Sequence, residues 1–196
     1  MVGENREVVS DSYFEGGVGC CLEARRDVVK LRDQWPKVEY VDQDGVVSTH
    51  TFDWHITLAN GQRHAIAARP FEQIKGLAAI MDLIRKQRAH REYADGITIL
   101  TERVCSSDDV ANAKLVLRAR RHRDNDEMQS ALTELQTVNG SVLFGDLVRK
   151  APVEAIRRIA MWNLIDFGIL MPVTREKITD RTRMWVNHES IKGAFA

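Results

Sequence analysis

The chain has no excess charge of either sign: its 196 residues hold 28 Lys and Arg against 28 Asp and Glu. No global field therefore draws it to nucleic acid or to an anionic membrane, and any affinity for DNA has to come from local patches. It has no apolar run of membrane-spanning length, and its polar start, Met1 to Glu7, has no charged-then-apolar leader. A cytoplasmic protein without membrane contact is expected. Cysteine is scarce, with three residues, of which Cys20 and Cys21 are adjacent and Cys105 stands alone. That is too little for a disulfide framework in a chain of this size, and no Cys-x-x-Cys spacing offers a zinc site. The six histidines are scattered, and alternation along a strand sends His50 and His55 to opposite faces.

What is present is enough apolar residue, 44%, to build a core in one large domain or two small ones. The first residues, 1–17, read as a flexible N-terminus broken from the next element by Gly16-Gly17. Cys20 to Leu31 reads as a helix carrying Glu23. A hairpin follows: Thr51 to Leu58, a turn at Ala59-Asn60-Gly61-Gln62, then Arg63 to Pro70. Asn-Gly between alternating runs is a strong hairpin signal and brings Asp53 near Ala67 and Arg69 on the neighbouring strand. Apolar residues at Ile74, Leu77, Ala78, Met81 and Ile84 have helical spacing, and Ile97 to Leu100 reads as a strand. Helices interleaved with strands give an α/β fold for this half.

Asp108-Asp109 heads a further helix that runs into Arg118, Arg120, Arg121, His122 and Arg123, the densest basic run in the chain. The run suits either a solvated helix end or contacts to DNA phosphates. From Asp126 the pattern becomes three short helices, Met128 to Val138, Leu143 to Arg149 and Val153 to Phe167, then paired strands at 168–170 and 183–187. This is the order of a winged helix. On its third helix Arg157 and Arg158 lie off the apolar stripe of Ile156, Ile159, Ala160 and Leu164, which makes them the groove-facing candidates.

The order of Glu23, Asp53 in Thr-Phe-Asp-Trp and the Ala67-Ala68-Arg69 strand resembles the TnsA family, the DNA-cleaving subunit of heteromeric transposases. Ile97 to Glu102, with its Leu-Thr-Glu end, and Asn112 to Arg118 resemble the elements that close that family's nuclease domain. The resemblance implies a restriction-endonuclease-like mixed sheet flanked by helices over 18–123, followed by a small winged-helix domain over 124–196. It also implies a catalytic centre at Glu23, Asp53 and Arg69, in which Glu23 and Asp53, with the main-chain carbonyl of Ala68, hold magnesium or manganese. Ala67 stands where the family has an acid or amide, and Arg69 where it has a lysine. An arginine cannot serve as a proton-transfer group, because it stays charged, but it can clamp a phosphate. Glu72 and Gln73 follow within a turn and are candidates for a displaced acid.

The resulting expectation is a DNA-associated protein of a mobile element or phage with an incomplete catalytic site. It binds DNA through Arg118, Arg120, Arg121, Arg123, Arg157 and Arg158, docks a transposase or ATPase partner, or does both, and a homodimer is compatible with either. Two alternatives stand beside it: an active magnesium-dependent endonuclease subunit of a heteromeric transposase, and a winged-helix transcriptional regulator.

Overall fold

A computed structural model describes residues 13–194, with side chains described through Ile191. The chain divides into two compact units, Met1–Ser107 and Asp108–Ala196. Among the described residues no helix is long and apolar enough to cross a membrane.

The first unit opens with α1 (Tyr13–Ala24) and β1 (Val28–Asp33), which is followed by β2 (Lys37–Val41) and β3 (Val47–Thr51). Then come β4 (Trp54–Leu58), β5 (Arg63–Ala68), a single 3₁₀ turn at Phe71–Gln73, α2 (Ile74–Gln87) and β6 (Gly96–Leu100). The sheet order is β1-β4-β5-β6: the first two pairings are antiparallel, and β6 runs parallel to β5 after crossing over through α2. β2 and β3 form a separate antiparallel ribbon. The unit is thus α/β, with a mixed sheet flanked by helices.

Alternation along β5 decides which helix covers which face. Ala65 and Ala67 join the apolar cluster of Phe52, Met81, Ile84 and Ile97, beneath α2. Ile66 points the other way, beside its register partner Trp54, and Trp54 lies under α1. A Cβ on Gly19 would stand 2.3 Å from the Trp54 ring, so α1 approaches the sheet this closely only because that residue is glycine. The Trp54 indole nitrogen donates to the Glu15 carbonyl at 3.1 Å and fixes the first turn of α1 on the sheet.

The hairpin at 54–68 forms as expected, with Gly61 at φ +85° in its turn. Two expectations for the region before it are corrected. The N-terminus expected to be flexible over 1–17 lies outside the described residues as far as 12, and from Tyr13 onward it is helix. The Gly16-Gly17 pair does not break α1, because Gly17 and Gly19 are buried against the sheet, where small residues permit close approach. The expected helix over 20–31 ends at Ala24, and Val28 to Asp33 is the edge strand β1. Its β-branched Val28-Val29 pair favours the extended form.

The second unit contains α3 (Ser107–Arg121), which begins at the boundary, α4 (Asn125–Leu135), β7 (Ser141–Leu143), α5 (Phe144–Arg149), α6 (Glu154–Asp166), β8 (Leu170–Pro172), β9 (Arg183–Val186) and α7 (His188–Ala194). β9 lies between β7 and β8, antiparallel to both. Helix α3, expected from the sequence at the end of the first domain, is held by the second unit instead. Asn112 donates to the Glu176 carbonyl at 2.9 Å and accepts from the Ile178 amide at 3.0 Å. The Asn163 side chain donates to the Ala119 carbonyl at 3.1 Å.

Candidate functional site

Asp53 immediately precedes β4, and the hairpin register brings it beside the end of β5. Its Oδ2 accepts from the Ala68 amide at 2.7 Å and from Nη1 of Arg69 at 3.3 Å. The same Nη1 donates to the Ala68 carbonyl at 2.7 Å and to Oε1 of Glu15 at 2.9 Å. Three oxygens, from an α1 carboxylate, a strand carboxylate and a main-chain carbonyl, thus surround one guanidinium nitrogen. Glu15 is 7% exposed and Asp53 is 5%. Two buried carboxylates so close together repel unless a cation lies between them, and here the cation is Arg69.

The residues expected at the site are divided by the fold. Asp53 and Arg69 come together. Glu23 does not join them: it is exposed at the last turn of α1, while Glu15, in the first turn of the same helix, supplies the second carboxylate. Ala67 is fully buried in the apolar cluster under α2, and Glu72 and Gln73 are exposed on the 3₁₀ turn. The sequence pattern hides Glu15, because Gly16-Gly17 reads as a helix break. The signal that could have found it is the run of glycines at 16, 17 and 19, which suits a helix lying close on a large aromatic ring.

Magnesium takes oxygen ligands at about 2.0–2.1 Å in near-octahedral geometry. The oxygens of Glu15, Asp53 and Ala68 are of the right kind, but Nη1 of Arg69 lies between 2.7 and 3.3 Å from all of them, in the space such an ion would need. Arginine keeps its charge in proteins and would repel a divalent ion. The residues as placed do not fit a metal. Among the described residues, no group of three or more His, Cys, Asp or Glu side chains is placed to hold a metal ion either.

A second buried polar group lies in the same unit. His55, on β4 and 4% exposed, has its Nε2 at 3.1 Å from the Tyr93 carbonyl. The edge of the Trp35 ring packs on it at 4.4 Å between centroids, and its Nδ1 is buried with no hydrogen-bond partner. Burial holds its pKa below the ordinary histidine value, with Arg63, Arg32 and Lys30 adding to the effect and the Tyr93 carbonyl opposing it. His50, against Phe52, is lowered too, again mainly by burial.

In the second unit the basic candidates divide. Arg118, Arg121 and Arg123 are exposed, the last with its guanidinium 4.8 Å from the centre of the Phe167 ring. Arg120 turns inward to a two-pronged pair with Asp166 at 2.7 and 2.9 Å, and the Asp166 side chain is only 6% exposed. Arg157 does not face outward: it is 2% exposed and ties α6 to α4 through Glu127, through Glu134 at 2.8 Å and through Ser130 at 3.3 Å. Burial disfavours its charge, but the hydrogen bonds with Glu134 and Glu127 outweigh that and raise its pKa. Arg158 pairs with Asp180 at 2.5 and 3.3 Å. The helical wheel puts Ile156 on the buried stripe and Arg157 off it, whereas Ile156 is exposed and Arg157 is buried, because α4 lies on the arginine's side with two acids.

The solvent-facing start of α6 carries Val153, Glu154, Ala155 and Ile156 instead, apolar and acidic rather than basic. No protein-family model matches the chain, and no curated protein matches its sequence.

Proposed function

We propose that the protein is a DNA-associated component of a mobile element or phage, built on a TnsA-like nuclease fold whose cation position is filled by its own arginine. The observation that carries the reading is the Arg69 guanidinium seated among Glu15, Asp53 and the Ala68 carbonyl. A helix, three antiparallel strands, a second helix and a parallel strand form the order of a restriction-endonuclease-like core, and Asp53 stands where such a core carries its strand acid. With an internal cation in that place the protein binds without cutting.

From α4 to β9 the second unit runs helix, strand, helix, helix, strand, strand, an order that supports reading this part as a winged helix. On this reading it docks a protein, an ATPase or transposase partner, rather than an operator. A recognition helix reads bases with outward Arg, Lys, Asn or Gln, whereas the open end of α6 offers Val153, Glu154 and Ile156. The exposed arginines of α3 and its end, Arg118, Arg121 and Arg123, supply contacts to the DNA backbone.

Fluorescence anisotropy with random and element-end duplexes over a salt series tests this. Weak binding that strengthens steeply as salt falls is expected. Arg118→Ala, Arg121→Ala and Arg123→Ala together should reduce the slope of log affinity against log salt by roughly 0.9 for each phosphate no longer neutralised. A slope unchanged in the triple variant, or no binding to either duplex at low salt, would overturn it.

A further inference from the structure

The Sγ atoms of Cys21 and Cys105 lie 2.9 Å apart, although 84 positions separate them in sequence. A disulfide has its sulfurs at about 2.05 Å, so closing one here needs an approach of only about 0.9 Å. Cys21 sits on α1 and is half-buried; Cys105 is 5% exposed, in the turn that leaves β6. That turn is clamped: the amides of Val104 and Cys105 both donate to the Thr101 carbonyl at 2.9 Å, and the Arg103 amide donates to Thr101 Oγ1 at 3.3 Å. The two thiols are thus held together by elements fixed independently of them. Cys20, the preceding residue on α1, projects about 100° away around the helix.

We infer that Cys21 and Cys105 are a modification site, a dithiol that closes to an intramolecular disulfide on exposure to hydrogen peroxide. The more exposed Cys21 reacts first. Its sulfur attacks one peroxide oxygen, the O–O bond breaks, an S–O bond forms and water leaves, giving a sulfenic acid. The Cys105 sulfur then attacks the Cys21 sulfur: the S–S bond forms, the S–O bond breaks and the hydroxide departs as water with the Cys105 proton. Two thiols lose two electrons in all, and peroxide is reduced to two waters. In a reducing compartment the pair rests as thiols. Once closed, the bond ties α1, whose first turn carries Glu15, to the exit of β6, and it holds the Glu15–Arg69 pair against local opening.

The full chain, first reduced and then treated with a slight excess of peroxide, should lose two of its three titratable thiols. Its mass should fall by two hydrogens, and a non-reducing digest should give one cross-linked peptide joining the segments of Cys21 and Cys105. Cys20→Ser should keep the cross-link, Cys21→Ser should abolish it, and the oxidised wild type should melt several degrees above the reduced form. Should Cys21→Ser fold poorly, the wild-type digest and Cys20→Ser decide alone. Three thiols that remain titratable, a bond through Cys20, a cross-link surviving in Cys21→Ser or a disulfide between molecules would each overturn the assignment.

Discussion

Arg69 and Glu15 meet at 2.9 Å, although one directly follows β5 and the other lies in the first turn of α1, 54 positions earlier. That meeting, rather than the helix-end Glu23, closes the carboxylate pair around Asp53. Because Glu15 and Asp53 are buried while the Arg69 side chain is 35% exposed, the pair depends on the arginine more than the arginine depends on the pair.

Arg69→Ala should therefore destabilise the first unit by about 2–3 kcal/mol, the cost of removing the guanidinium that donates to both buried carboxylates. Thermal unfolding followed by circular dichroism should show Tm lower by roughly 10 °C. Arg69→Lys should fall between wild type and Arg69→Ala, since the ammonium keeps the charge but its shorter side chain does not reach the position Nη1 holds among the three oxygens. A melting curve unchanged in Arg69→Ala would mean that the ion pair is incidental.

Arg157→Ala should cost about 3–5 kcal/mol in the second unit, because Glu127 and Glu134 are left facing a cavity without their cation. Adding Glu127→Gln and Glu134→Gln to the same variant should recover part of the loss. Urea unfolding of the three proteins measures both effects. A base-reading arginine would instead leave the urea midpoint unchanged and lower DNA affinity.

Acidification supplies a third check. His55 and His50 have folded-state pKa values below the ordinary 6.5 or so of an unfolded histidine, chiefly through burial. As pH falls through that value the unfolded chain binds protons that the folded chain refuses, so stability is full above it and declines below it. Tm at pH 5.5 should lie below that at pH 7.5, and His55→Gln should flatten the difference even if it lowers both values. The depressed carboxylates Asp27, Asp42, Asp95 and Asp180 lose their contribution only near or below the ordinary aspartate range, so the two effects separate. An unchanged slope in His55→Gln would remove this histidine from the account.

The parts of the molecule legible in the sequence are those fixed by local chemistry. Asn60-Gly61 set the hairpin and with it the meeting of Asp53 and Arg69, and the spacing of Met81 and Ile84 set α2. The order of elements from α4 to β9 also followed from local pattern, apart from the short β7. What was not legible depends on a partner distant in sequence. Gly16 and Gly17 look like breakers until α1 packs on the sheet, with Gly19 against Trp54, and Val28 to Asp33 is ambiguous between helix and strand until β4 pairs with it. Arg157 looks outward until α4 brings Glu127 and Glu134. The cation site suffered most, since its two carboxylates come from elements that only the tertiary fold brings together.

Incubating the purified chain with supercoiled plasmid in magnesium, and separately in manganese, tests the central claim most directly. With Arg69 filling the position between Glu15 and Asp53, the plasmid should stay supercoiled in both metals while the same protein shifts a duplex probe at low salt. Nicking by the wild type that is lost in Asp53→Ala and in Glu15→Ala would contradict the account and make the protein an active nuclease.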